Sequence, residues 1–172
     1  GFGCFVDISG NIYEGEWTSN IMTNHGSWHW KNGTSYLGPH DFGVRSGHGM
    51  YSTGYGDIYV GNFQNNKIDG KGLMLYNDRT YYKGNFSDGQ RSGQGCMVLD
   101  GGKTFQVGPF RNDVREGIFT IRRAITMEDG AVAEETQRGV WKDNEFCDWL
   151  EPPHNPRATK TFVERFRKGV DL

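Results

Sequence analysis

Residues 13–38 read Y-E-G-E-W-T-S-N-I-M-T-N-H-G-S-W-H-W-K-N-G-T-S-Y-L-G. Tyr13, Gly15 and Trp17 alternate with Glu14 and Glu16, the period of two expected of a half-buried strand. The run Gly26 to Lys31 alternates in the same way, with Trp28 and Trp30 on one face and Ser27, His29 and Lys31 on the other. These are two arms of an antiparallel hairpin. Asn32-Gly33 accepts the positive φ of a tight turn, and Tyr36-Leu37-Gly38 then repeats the opening Tyr13-Glu14-Gly15.

Working outward, the pattern returns with a period of about 23 residues. The second copy opens at Tyr36, the third at Tyr59, Gly61 and Phe63, and the fourth at Tyr82, Gly84 and Phe86. A fifth is weaker: Gln106 takes the tyrosine position, Gly108 and Phe110 follow, and Phe119 replaces the second glycine. Gln137, Gly139 and Trp141 open a sixth after a longer spacing, so Ile118 to Arg123 is expected to extend as a longer strand with Glu128-Asp129-Gly130 as its turn. Gly1 to Gly10 reads as the second half of a preceding unit, so the sequence starts inside an array. Interior glycines such as Gly15 and Gly26 weaken a strand, and they are expected to leave space for aromatic rings.

These residues resemble the MORN-repeat family, whose unit runs Y-x-G-x-[WF]-x-x-G-x-x-x-G-x-G before a D-G or N-G turn. The resemblance covers residues 1–150: units near 13–35, 36–58, 59–81, 82–105, 106–136 and 137–150, after a partial unit 1–12. It implies an all-β fold, one elongated antiparallel sheet of hairpins stacked side by side. Six units of two strands would make a rod of about 60 Å. Asn20, Asn66, Asp113 and Asn144 stand in place of the first turn glycine and tolerate left-handed φ. At Asn24 and Arg79 that tolerance is expected to matter less. His40 stands where Trp or Phe is expected, which predicts a thinner aromatic row in the second copy.

The composition fits such an array better than a layered globule. Glycine fills 26 of 172 positions, far above the roughly 7% of ordinary domains, while the hydrophobic fraction is 35%. Aromatics at 14% argue against disorder. A net charge of −2 gives no bulk attraction to nucleic acid. Cys4, Cys96 and Cys147 form no C-x-x-C pair, which favours a reduced, cytoplasmic setting. No apolar run approaches a membrane span of about 20 residues, and no signal peptide is visible. The Asn32 and Asn85 sequons read as turn residues.

No catalytic constellation emerges, and neither a cofactor nor a metal is expected. Gly102-Lys103-Thr104 ends like a phosphate-binding loop, but Met97 occupies the required first glycine. His25 and His29, four apart on a strand, lie about 13 Å from each other and cannot share a metal; His25 is given a turn role.

The sequence therefore points to a non-enzymatic scaffold that binds protein partners. The surface expected to do so comprises Tyr13, Trp17, Trp28, Trp30, Tyr36, Tyr59, Phe63, Tyr82, Phe86, Phe110 and Trp141, against the plainer reading that these rings only pack the sheet. The family resemblance implies a ciliary (axonemal) or cytoskeletal assembly. The alternatives are a phospholipid-tethering module, weakened by the apparent lack of basic residues along the aromatic face, and a regulatory segment of a larger enzyme. Open sheet ends suggest a possible homodimer. After Pro152-Pro153, residues 157–168 read as an amphipathic helix stopped by Gly169. Its apolar stripe, Phe162, Val163, Phe166 and Val170, suits a cap over the last hairpins; its basic residues, among them Arg165 and Arg167, would instead suit docking to a partner or a membrane surface.

Overall fold

The computed structural model describes residues 1–151; the helix expected over 157–168, with Phe162, Val163, Arg165, Phe166 and Arg167, lies outside the described residues. Fifteen strands form one antiparallel sheet: β1 (Phe2–Val6), β2 (Ile12–Thr18), β3 (Ile21–His29), β4 (Ser35–Asp41), β5 (Val44–Arg45), β6 (Gly47–Ser52), β7 (Ile58–Gln64), β8 (Lys67–Leu75), β9 (Tyr81–Ser87), β10 (Gln90–Leu99), β11 (Thr104–Arg111), β12 (Val114–Arg115), β13 (Gly117–Thr126), β14 (Val132–Lys142) and β15 (Glu145–Trp149). Spatial order follows chain order throughout, with the short β5 and β12 pairing on β4 and β11. Every hairpin therefore packs on its sequence neighbours, as the repeat predicts.

Two kinds of turn alternate. The tips within hairpins are two-residue loops with both residues at positive φ: Ser19-Asn20, Phe42-Gly43, Asn65-Asn66, Asp88-Gly89, Asn112-Asp113 and Asp143-Asn144. This is the type I′ pattern, whose twist matches that of the flanking strands. The turns between hairpins span Asp7–Asn11, Trp30–Thr34, Thr53–Asp57, Tyr76–Thr80 and Met127–Ala131. In each, the first amide donates to the last carbonyl and the fourth amide donates back to the first carbonyl. The expected turn at Asp129-Gly130 is thus one of a series, and β13 and β14 extend to meet it. A short 3-10 turn, Asp100–Gly102, makes the remaining hand-over.

Asn24 and Arg79 depart from expectation. Arg79 (φ 71°) occupies the left-handed position that Gly10, Gly33, Gly56 and Gly130 fill in the equivalent turns. Asn24 (φ 52°) sits opposite His40, as Gly47, Gly70 and Gly93 sit opposite Phe63, Phe86 and Phe110, all three glycines at positive φ. Left-handed backbone is required at both sites. The shift at Gly15/Glu16 that leaves Asn24 and His25 unpaired with β2 is a bulge, so His25 belongs to a bulged strand rather than a turn. Asn85 likewise lies within β9, where its side-chain amide donates to the Gln94 carbonyl at 3.3 Å; only Asn32 is a turn residue.

The interior glycines have a concrete reason. In register across the sheet, Gly3, Gly15, Gly26 and Gly38 form one row that continues through Gly49, Gly61, Gly72, Gly84, Gly95 and Gly108. Each tyrosine lies flat across a pair of them, Tyr13 over Gly15 and Gly26, Tyr36 over Gly38 and Gly49, Tyr59 over Gly61 and Gly72, Tyr82 over Gly84 and Gly95. A Cβ at either member of a pair would collide with the ring. The hydroxyls of Tyr36, Tyr59 and Tyr82 donate to the carbonyls of Pro39, Asn62 and Asn85 at 2.9, 3.0 and 3.0 Å. A single-layer sheet thereby buries four tyrosines to 1% exposure or less.

Between the tyrosines stand rings at right angles to them. Edge-to-face contacts of 5.0–5.3 Å run Tyr13–His40–Tyr36–Phe63–Tyr59–Phe86–Tyr82–Phe110–Phe119, and Trp141, Phe146 and Trp149 carry the row to the last strand. Such pairs add about 0.5–1.5 kcal/mol each beyond their buried area. The row is not thinner in the second copy, because the flat imidazole of His40 fills the ring's place, 4% exposed.

Candidate interaction face

The aromatic row occupies one side of the sheet, here the front face, and its burial decides which residues have surface to offer. Among those expected to bind a partner, Tyr13, Tyr36, Tyr59, Tyr82, Phe63, Phe86, Phe110 and Trp141 are buried. Their rings are consumed by the tyrosine–glycine stacking and the edge-to-face row. Trp17, Trp28 and Trp30 are half-buried and retain accessible edges. Trp28 and Trp30 stack nearly parallel at 5.6 Å, and Trp30 meets Tyr51 at 6.5 Å.

The residue two positions after each hairpin tip also reaches the front face, because it pairs with the ring residue of the preceding strand: His40 with Arg45, Phe86 with Arg91 and Phe110 with Arg115. Arg45 lies 5.5–5.8 Å from the centres of Trp30, Tyr36, Tyr51 and Phe63, and Arg91 lies 5.4 Å from Phe110 and 5.8 Å from Tyr82. These are cation–π distances. Arg123, also on this face, lies over Trp149 at 5.8 Å. The sequence carried a signal for the first three, since Gly43-Val44-Arg45, Gly89-Gln90-Arg91 and Asp113-Val114-Arg115 recur in repeat register. The expectation that the aromatic face lacks basic residues is therefore overturned: strand pairing brings the tip-proximal arginines to the face of the rings.

Each guanidinium is held by the next hairpin tip. Arg45 donates from Nη2 to the Asn66 carbonyl at 2.8 Å and from Nε to Asn66 Oδ1 at 3.4 Å. Arg91 makes the same bonds to Asp113 at 2.9 Å each, one of them an ion pair. Arg115 donates to Gln106 Oε1 at 2.7 Å and to the Asn144 carbonyl at 3.4 Å. The acceptors that hydrogen-bond Arg45 and Arg115 are thus neutral. Burial, and then the charge of Arg91, draws Arg115 below the usual arginine range. A carboxylate arriving from outside would relieve that cost and gain charge-assisted hydrogen bonds.

Two hollows flank these side chains. One of about 390 Å³ is lined by Arg91, Met97, Leu99, Phe110, Arg115 and Asn144; another of about 220 Å³ is lined by Trp30, Asn32, Thr34, Arg45 and Tyr51. Both combine a guanidinium with an aromatic wall. His40, between Tyr13 and Tyr36, is held below the ordinary histidine value by burial first and by Arg45 second; the Gly38 carbonyl opposes this slightly without reaching hydrogen-bond geometry. Burial pushes the Tyr36, Tyr59 and Tyr82 hydroxyls up to about 12. They act as neutral donors to the backbone.

Compared with known families, the chain matches the MORN repeat at residues 13–35, 59–81 and 82–104. No curated protein gives a significant match.

Proposed function

For a chain that carries MORN repeats, we propose that the front face is a docking groove for a protein segment bearing both apolar and acidic side chains, and that the molecule is a binding scaffold rather than an enzyme. The observation carrying this reading is the arginines of the front face: Arg45 and Arg91 lie over the aromatic row, and the guanidiniums of Arg45 and Arg115 hydrogen-bond neutral acceptors alone. Arg45 and Arg91 stand in equivalent places two repeats apart, four strand spacings or about 19 Å. That distance is close to four turns, about 14 residues, of helix. A partner helix lying along the array would meet both arginines from one face, with apolar side chains against Trp28, Trp30 and Met97.

Headgroup phosphates are the second reading, favoured by the same arginines. The two are separated by capture from cell extract alongside sedimentation with anionic vesicles, using the whole chain and an Arg45→Gln, Arg91→Gln, Arg115→Gln variant. Protein partners held by the wild type and lost from the variant support the groove. Vesicle binding that is lost in the variant, with no protein retained, would replace it by lipid tethering. The ciliary or cytoskeletal setting follows the resemblance, and imaging of the tagged chain tests it.

A further inference from the structure

Across each hairpin tip, a ring of the front face has a partner two residues past the tip. Trp17 pairs with Met22, His40 with Arg45, Phe63 with Ile68, Phe86 with Arg91, Phe110 with Arg115 and Trp141 with Phe146. These partners stand on β3, β5, β8, β10, β12 and β15 in turn, so successive members lie two strand spacings apart, about 9.6 Å. None of the six is buried. Along the array the file reads apolar, cationic, apolar, cationic, cationic, apolar.

The pitch of an α-helix matches this file. Seven residues of helix rise about 10.5 Å and fall about 20° short of two turns. Over the three repeats from Arg45 to Arg115 the surplus is under about 3 Å and the drift about 60°, inside the roughly 100° of one helix face. In an extended strand the same step is about three residues, an odd number, so consecutive contacts would fall on opposite faces. A polyproline helix has a suitable step, about 9.3 Å for three residues, but no internal hydrogen bonds. Strand pairing engages the sheet's own backbone on both sides, so a partner has to satisfy its amides itself, as an α-helix does.

The guanidiniums keep donors for such a partner. Nη1 of Arg45, Nη1 of Arg91 and Nε of Arg115 donate to no protein group among the described residues. Asp113 already pairs with Arg91, whereas Arg45 and Arg115 meet neutral acceptors. A carboxylate therefore gains least opposite Arg91.

Resting on the groove reading, we propose that the front face recognises an α-helix whose acidic residues recur in heptad register. One acid faces Arg45, an apolar residue about seven positions along faces Ile68, and acids at about fourteen and twenty-one positions face Arg91 and Arg115. The file is not symmetric, so it also sets direction. Acids fourteen and then seven apart run the helix from β3 towards β15, and the reverse order runs it the other way.

Fluorescence anisotropy with the full chain tests this, using labelled synthetic peptides. Two are helices carrying the acids in either in-register order; a third has the second and third acids each displaced two residues, about 200° around the helix. A fourth is proline-rich, with acids about six and three residues apart for the polyproline pitch. One in-register helix should bind about tenfold more tightly than the displaced and proline-rich peptides, with a gain in helical circular dichroism. Replacing its acids by Gln one at a time should cost least opposite Arg91, and the replacement opposite Arg115 should be non-additive with Arg115→Gln in the chain. Equal affinity for in-register and displaced helices, tighter binding of the proline-rich peptide, or no binding by any of the four would overturn the heptad register. Capture from extract with the triple arginine variant uses none of these peptides, so the groove itself stands or falls separately.

Discussion

Repeat three and repeat five solve one packing problem from opposite strands. In repeat three, Tyr59 on β7 crosses Gly61 and Gly72, and its hydroxyl reaches the Asn62 carbonyl. In repeat five the tyrosine position is Gln106, and the ring comes from Phe119 on the partner strand, where the second glycine would be; it lies over Gly108, and a Cβ there would sit 2.5 Å from Phe119 Cγ. Gln106 is freed to accept a hydrogen bond from Arg115. What the array conserves is one flat ring over a gap in the sheet, whichever strand supplies either. This extends to the sixth unit, where Phe146 covers Gly139.

The comparison is broken most directly at Phe119, which is fully buried. Phe119→Ala should cost about 3–5 kcal/mol in urea unfolding. A Gln106→Tyr, Phe119→Gly double variant, which rewrites repeat five in the pattern of repeat three, should recover much of that loss; a double variant no more stable than Phe119→Gly alone would show that the two solutions are not interchangeable.

Gly72→Ala comes next, at about 2–3 kcal/mol by the same measurement, because a Cβ would meet the Tyr59 ring in an environment that cannot yield. Combining it with Tyr59→Leu should reduce the added cost, whereas simple additivity would mean that ring and glycine are uncoupled.

Tyr59→Phe moves repeat three towards repeat five by deleting the hydroxyl, and should cost about 1 kcal/mol. It also has a pH signature. Because burial raises the folded Tyr59 value to about 12 from an ordinary value of 10.0, its contribution is intact below pH 10 and is lost as pH rises towards 12. Circular dichroism across that window should show a shallower alkaline decline in the variant.

The smallest effect distinguishes the hand-over turns of the two repeats. Repeat five uses Gly130 at the left-handed position and repeat three uses Arg79. Arg79→Gly should stabilise by up to about 1 kcal/mol, seen as a higher Tm, since glycine adopts positive φ without the Cβ penalty. A fall in Tm would mean that the arginine side chain contributes more than its backbone strain costs.

Most of the fold was legible because strand alternation, turn chemistry and repeat spacing are local. Asn20 and Asn66 announced positive φ through a side chain that tolerates it, whereas Arg79 carried no such mark and its conformation follows from the two backbone hydrogen bonds that close its turn. His40 looked like a gap in the aromatic row because its polarity hides a flat ring of the right shape. The candidate site was only half legible. Trp28 and Trp30 were visible as a pair, but the arginines joined them through cross-strand register, which a reading of one strand at a time passes over.

The sequence by itself determined the period, the hairpins, the chain-order antiparallel sheet and the meaning of its glycines, since each depends on residues within about one repeat of one another. Tertiary structure alone decided which rings are spent on packing, that Arg45 and Arg91 overlie them with Arg115 on the same face, and that apolar side chains such as Leu37 and Ile118 stay exposed on the opposite face. Those properties belong to ladders running across many strands, where a side chain's neighbours lie a repeat away in sequence and its exposure depends on what the adjoining hairpins place over it.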